Sequence, residues 1–272
     1  MPQEAAAGGE AGGLRPLVLS APRSNVAEAE IRSRIRAAVA RGLPQIQVQP
    51  AHRGTMVVAG AAPSLGNHLG EMRRAARYGQ LWCVNAAHPW LLARNVVPDA
   101  CLLFDAGDEL ARRIVPDPRV AYWLASQVDP ALIDACVGVG APVTLWHGWN
   151  GDCVQDELEA LGVPYVVMNG GCSAVLRCLN VGWALGFRRF RFFGVEGSFA
   201  DPAAQHVGDW TPYRHAFRVQ CGGRWFWTTP QLAQQAEDFK AMWARMPDCR
   251  IEAAGDGLIP HILSRLNSTR VH

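Results

Sequence analysis

A chain of 272 residues, 49% of them apolar, is long enough for one large α/β domain and too apolar to be disordered. Its 26 basic and 24 acidic residues leave a formal net charge of +2, which argues against nucleic acid or an acidic membrane as partner. No apolar run approaches the ~18 residues of a transmembrane helix, and Met1–Gly13 carries Glu4 and Glu10 without the apolar stretch of a secretory signal.

Residues 1–14 read as a flexible tail. Residues 15–272 read as a single domain, because no Pro/Ser-rich linker or internal repeat divides them. Val26–Val39 places Val26, Ile31, Ile35 and Val39 on one stripe: an amphipathic helix capped by Asn25, with Arg32, Arg34 and Arg36 on a solvated face. Gln45–Gln49 alternates as a half-buried edge strand does. Thr55–Leu65 is the stretch around which the rest is organised. Met56–Ala59 is a short apolar run, Gly60-Ala61-Ala62-Pro63 breaks it, and Ser64 opens a helical stripe of Leu65, Leu69 and Met72. Strand, tight turn and helix start in that order make a phosphate seat at a sheet edge, or an ordinary turn without ligand.

Further strand-then-helix units follow. Leu81–Val84 ends at Asn85, before a short helix through Trp90 and Leu92. Ala100–Phe104 ends at Asp105; Val120–Leu124 follows; Pro142–Trp146 ends at His147. Val163–Met168 ends at Asn169-Gly170-Gly171, before a helix over Ser173–Leu185, and Arg189–Phe193 ends at Gly194-Val195-Glu196. Apolar strands separated by helices predict a mostly parallel sheet with helices on both faces, its strand ends on one edge. The last quarter adds a β-hairpin (Phe217–Gln220, Gly222-Gly223, Arg224–Trp227), a helix over Gln231–Met246, a strand at Arg250–Ala253 and a closing helix over Leu258–Leu266.

The predicted edge collects the polar residues. Gly60, Ala61, Ala62 and Ser64 form one anion seat; Gly170, Gly171 and Ser173 form a second, with plain capping by Ser173 as the alternative. Asn85 and Asn169 suit a base edge, a ribose or a phosphate, although Asn169 before Gly170 also suits a turn. Asp105 and Glu196 are candidate Mg²⁺ ligands, or carboxylates that bond loop amides. His147, His206 and His215 are the acid–base candidates, the last two in a loop that reads as a lid. The eight cysteines contain no C-x-x-C pair, so neither zinc nor a disulfide frame is expected; reduced thiols point to the cytoplasm. G-x-S-x-G, P-loop and H-E-x-x-H signatures are absent.

Several of these segments together resemble the MptE-like (DUF115) family. Val57–Leu65 (V-V-A-G-A-A-P-S-L) is similar to its G-x-G-P-S-L turn. Cys83-Val84-Asn85-Ala86, Val97-Pro98-Asp99 and Leu103-Phe104-Asp105 look like its N-x-A…PD…D segment. Gly170–Phe199 and Gly255-Asp256-Gly257-Leu258 resemble its later G-x-S…G-x-D-x-S-F and G-[DE]-G segments. Ala62 departs from a glycine in that pattern and Glu196 from an aspartate. The resemblance, over roughly residues 55–265, implies a Rossmann-like nucleotide-binding fold and a transferase similar to 6-hydroxymethylpterin diphosphokinase. ATP phosphates would lie on Gly60–Ser64 and Asn169–Ser173, with Mg²⁺ near Asp105 and Glu196. Bacterial sialyltransferases are distant likenesses of the same family. The alternatives are therefore a glycosyltransferase using a nucleotide-activated sugar, with a small-molecule or glycan acceptor, or a non-catalytic nucleotide-binding protein. The edge has no lysine near its opening turn, where Arg73 and Arg74 are the nearest cations, and that leans toward the sugar.

Overall fold

β1 (His52–Ala59) runs through the middle of a computed structural model that describes residues 26–203, 205–208 and 215–269. Met56 to Ala59 are fully buried, as a strand covered on both faces requires. A 3₁₀ turn (Pro63–Gly66) and α2 (Leu69–Ala76) follow it. The chain then steps outward through β2 (Gln80–Val84), α3 (Ala87–Leu92), β3 (Ala100–Leu103), α4 (Glu109–Arg113) and β4 (Ala121–Ala125). It continues through α5 (Pro130–Gly138), β5 (Val143–Gly148), α6 (Asp152–Leu161) and β6 (Val167–Met168). α7 (Ala174–Ala184) carries it back, packing on β6, β3, β2 and β1, to β7 (Phe187–Phe193), which pairs with β1 on its other side. A hairpin of β8 (Phe217–Cys221) and β9 (Arg224–Thr228), then α8 (Pro230–Arg245), leads to β10 (Arg250–Ala253) beside β7. α9 (Leu258–Thr269) follows.

The strand order is β10-β7-β1-β2-β3-β4-β5-β6, and every pairing in this eight-stranded sheet is parallel. This is a Rossmann-like α/β fold with an added antiparallel hairpin, as the sequence predicts. Right-handed crossovers place α2 to α6 on one face and α7 and α8 on the other. Local chemistry fixes the ends. Asp129 caps α5 through the Ala131 amide, Ser173 caps α7 through Leu176, and Thr229 caps α8 through Leu232, with Pro130 and Pro230 in first turns. Gly222 and Gly223 both take positive φ, 54° and 82°, the mirror-image turn that a two-residue hairpin needs.

Three sequence expectations differ from the structure. Gln45–Gln49 is not a strand: Gln45 alone bridges Leu145, and the segment runs on across the sheet end to bond Gln49 to Ala184. Val163–Met168 shortens to β6, because Val163 and Tyr165 pack instead on the cluster of Ile31, Ile35 and Leu158 between α6 and α1 (Glu28–Val39). α1 begins after Ala27 with no side-chain cap, and its arginines are ion-paired rather than merely solvated. Arg32 meets Glu28 and Asp156, Arg34 meets Glu30, and Arg36 meets Glu157. Asn25 and the 1–14 tail lie outside the described residues. All eight cysteines are free thiols. Among the described residues no helix is long and apolar enough to cross a membrane.

Candidate functional site

β1 and β7 lie side by side, and the chain leaves them toward opposite ends of the sheet. Such a switch point opens a crevice at the carboxyl ends of the two strands. Here the two following turns are stitched together: Gly60 donates to the Phe193 carbonyl at 2.8 Å and Ala62 to the Gly194 carbonyl at 3.1 Å. A Cβ on Gly60 would fall 2.3 Å from the Gly194 oxygen, so only glycine permits this approach. Ala62 has φ −69°, and its methyl group is accepted without strain. Two of the amides in the predicted phosphate seat are thus engaged by the fold itself.

In front of these turns lies a cavity of about 110 Å³. Ala61, Ala62, Asn85, Ser173, Glu196 and His206 line it, six of the residues singled out from the sequence. Asn85 ends β2 at φ 45°, a left-handed conformation that Asn tolerates and that turns its side chain off the strand path. Glu196 is built in from every side. The Ser64 hydroxyl donates to its Oε1, its backbone carbonyl accepts from Ile259 at 2.7 Å, and the Gly255-Asp256-Gly257 turn lies directly on its side chain. A Cβ on Gly255 would meet Oε1 at 2.4 Å, and one on Gly257 would meet the Glu196 Cβ at 2.3 Å. Burial pushes the Glu196 carboxyl above the usual range, against the downward pull of the Ser64 bond, its own backbone amide and the charge of His68. Burial lowers His206 in turn, with Glu109 opposing, and keeps its imidazole neutral.

Three oxygens at this cavity have no hydrogen-bond partner among the described residues: Asn85 Oδ1, Gln205 Oε1 and Glu196 Oε2. The orientation of the Gln205 amide is fixed, since its Nε2 donates to the Pro202 carbonyl at 2.8 Å. Glu196 is 6% exposed and Gln205 8%. Buried acceptors without donors are costly, and three of them sit on residues that line one cavity. Among the described residues no lysine or arginine lines the cavity.

The remaining predicted residues lie elsewhere on the edge. His147 is fully buried, with its two ring nitrogens bonded to Ser126 Oγ at 2.9 Å and Gln45 Oε1 at 3.0 Å. Burial lowers its pKa to about 4. It is a core residue and does not line the cavity, which is not where a catalytic histidine is expected. Asp105 is exposed, lies outside the lining and accepts from the Gly107 amide at 2.9 Å, a carboxylate closing its own loop. Asn169 accepts from the Gly170 amide, and neither residue lines the cavity, nor does Gly171. At the start of α7 the Cys172 amide is held by Asp238, a carboxylate of this chain, at 2.8 Å. An acid of this chain thus holds one amide of the turn that carries the second expected anion seat. Mg²⁺ does not fit these residues: Asp105 and Glu196 are not brought together, and no group of three or more His, Cys, Asp or Glu gathers among the described residues. His215 is exposed and does not line the cavity.

Sequence reading missed Gln205, Ser198 and Gln235 in the lining. Ser198 bonds the Leu258 amide and so caps α9. Gln235 left a readable trace, a polar residue within the buried stripe Leu232, Ala236, Phe239 of α8. Gln205 left none, because its loop has no period.

No family model matches this chain, and no curated protein matches it in sequence. The MptE-like resemblance therefore stands on its motifs alone. Among solved structures the fold is similar to that of the MAf glycosyltransferase from Magnetospirillum magneticum AMB-1, with a TM-score of 0.64 over 85% of this chain at 17% identity. The match spans 37% of that chain, a little over a third of its length. At that identity the likeness concerns fold, and this chain is a Rossmann-like α/β protein with a partly open cavity at its switch point.

Proposed function

We propose that this chain is a transferase acting on a nucleotide-activated sugar, with the sugar in the switch-point cavity. The observation that carries this reading is the cavity lining: three of its residues hold a buried oxygen without a donor, and among the described residues it has no cation. Phosphate oxygens only accept, and a triphosphate there would meet Glu196 with nothing to neutralise it. A sugar ring is dense in hydroxyl donors and matches Asn85, Gln205 and Glu196. At about 110 Å³ the cavity suits a fragment of a ligand rather than a whole nucleotide, for which pockets of about 300–1,000 Å³ are usual. The fold likeness to a glycosyltransferase supports the same direction.

The chemistry is then a displacement at the anomeric carbon. An acceptor hydroxyl oxygen forms the new bond. The bond to the donor phosphate breaks, its electron pair leaves with the phosphate, and the hydroxyl proton passes to a base. Glu196 is that base, strengthened by burial, with its Oε1 held by the Ser64 hydroxyl. His206, neutral by burial, faces the same cavity and positions the leaving group.

Diphosphate transfer from ATP is the second reading, favoured by the order of motifs from V-V-A-G-A-A-P-S-L to G-D-G. Binding without turnover is the third. Incubation with CMP-, UDP- and GDP-sugars, beside ATP, Mg²⁺ and 6-hydroxymethyl-dihydropterin, separates them. Release of a nucleoside mono- or diphosphate from one sugar donor, with no AMP from ATP, is the expected result. AMP formation would overturn it in favour of the second reading.

A further inference from the structure

The β8–β9 hairpin has two unlike faces. Val219 and Phe226, paired across it, pack into the main core. The pairs Arg218↔Trp227 and Gln220↔Trp225 point the other way and put four large side chains on one outer face. Arg218, Gln220 and Trp225 are exposed, Trp225 to 48%. The Arg218 guanidinium lies over both indoles, 5.2 Å from the Trp225 ring centre and 5.9 Å from that of Trp227. Many of the described arginines are ion-paired: Arg32, Arg36, Arg41, Arg188, Arg191 and Arg224 each meet a carboxylate. Arg218 meets none among the described residues.

We propose that this outer face is a binding platform for a saccharide that carries a carboxylate. Exposed indoles offer flat apolar surface to the C–H face of a pyranose at little cost in side-chain entropy. Gln220 exchanges hydrogen bonds with hydroxyls. Arg218, planar and held flat by the two rings, presents its fork to a carboxylate. The lone cation is what selects an acidic sugar over a neutral one.

The platform is tied to the cavity. The Phe199 amide donates to the Trp227 carbonyl at 3.0 Å, and Thr228 Oγ1 donates to the Gly197 carbonyl at 2.9 Å. Gly197 and Ser198, in the segment thus pinned, line the cavity beside Glu196. The hairpin is thus joined through its backbone to the segment that lines the cavity. The saccharide's role as acceptor rests on the glycosyl-transfer reading above; its binding does not.

The test is a titration of the full chain with oligogalacturonate, with maltohexaose as neutral control and polyglutamate as acidic non-sugar control. Oligogalacturonate is expected to bind, and Arg218→Gln and Trp225→Ala are each expected to weaken it at least about tenfold at unchanged melting temperature, as loss of an aromatic or Arg anchor does. Maltohexaose and polyglutamate are expected to bind weakly or not at all. Failure of oligogalacturonate to bind, equal binding of polyglutamate, or undiminished binding by both variants would overturn the proposal. The readout needs no sugar donor, so missing turnover would count against the transfer reading alone.

Discussion

One sheet edge carries two kinds of polar residue. At the β1/β7 end, Asn85, Gln205 and Glu196 each have a buried side-chain oxygen with no partner among the described residues. At the β3–β6 end, Asp105, His147 and Asn169 each turn their polar atoms onto the chain itself: a loop amide, two core side chains, a turn amide. By strand-end position alone the two groups look alike. The difference is satisfaction. A polar group with its bonds made within the fold has a structural task, whereas a buried one without partners is stable only if something else completes it.

The largest expected effects lie on either side of that division. Glu196→Ala should lower turnover by about 10²–10⁴-fold, the usual reach of a general base, with cooperative unfolding retained. Glu196→Gln should equally lose turnover yet melt higher at neutral pH. A carboxyl raised by burial binds its proton more tightly folded than unfolded. Its contribution therefore falls as pH rises through the ordinary carboxylate range to the raised folded value, and the amide has no such loss. His147→Ala should do the opposite. It strands Ser126 and Gln45, costs about 2–4 kcal/mol by denaturant titration, and leaves kcat of the folded protein unchanged. A kcat loss in His147→Ala as large as that in Glu196→Ala would break the comparison.

Buried imidazoles away from the cavity also predict a pH response. Burial lowers both His147 and His88 from an ordinary 6.5 to about 4. The unfolded chain then binds more protons between those values, so stability is full above about 6.5 and is lost as pH falls toward 4. The loss is about 3 kcal/mol for each imidazole at most. Chemical denaturation at stepped pH should show this slope, and His147→Gln should remove about half of it. A smaller effect tests how Glu196 is held. Gly255→Ala places a methyl against its Oε1 on a backbone at φ +101°, and should cost about 1–3 kcal/mol and shift the pH profile of turnover more than KM.

Strands buried on both faces were legible because four or five apolar residues between turn signals leave few alternatives: β1 to β5 and β7 all lie where the sequence puts them. The N-cap of α7 at Ser173 and the Gly-Gly hairpin turn were legible for the same local reason. Gln45–Gln49 was misread because alternation reports a half-buried segment, not what buries it, and Val163–Met168 because an apolar run does not say which neighbours bury it. In the second, α1 and α6 take the apolar side chains. At the site, nearness to the edge was readable and satisfaction was not. The partners of His147 are 21 and 102 residues away in the chain, and the Ser64–Glu196 contact spans 132.

The smallest effect tests the satisfied half where the sequence argued hardest against it. Asp105 ends a strand on the edge, as a Mg²⁺ ligand would. In the structure it is exposed, bonds the Gly107 amide and stays outside the cavity lining. A ligand carboxylate needs companion oxygens, and Glu196, its one proposed companion, faces a cavity that Asp105 does not reach. Asp105→Asn keeps an acceptor oxygen for the Gly107 amide and removes only charge. It should change stability by no more than about 0.5 kcal/mol, as surface substitutions do. Sugar-nucleotide affinity, measured calorimetrically, should be the same within about twofold in wild type and variant, in Mg²⁺ and in EDTA alike. A loss confined to Mg²⁺ would mean that Asp105 holds a cation against the donor phosphates. The two halves of the edge would then act together, and satisfaction within the fold would no longer separate structural from functional carboxylates.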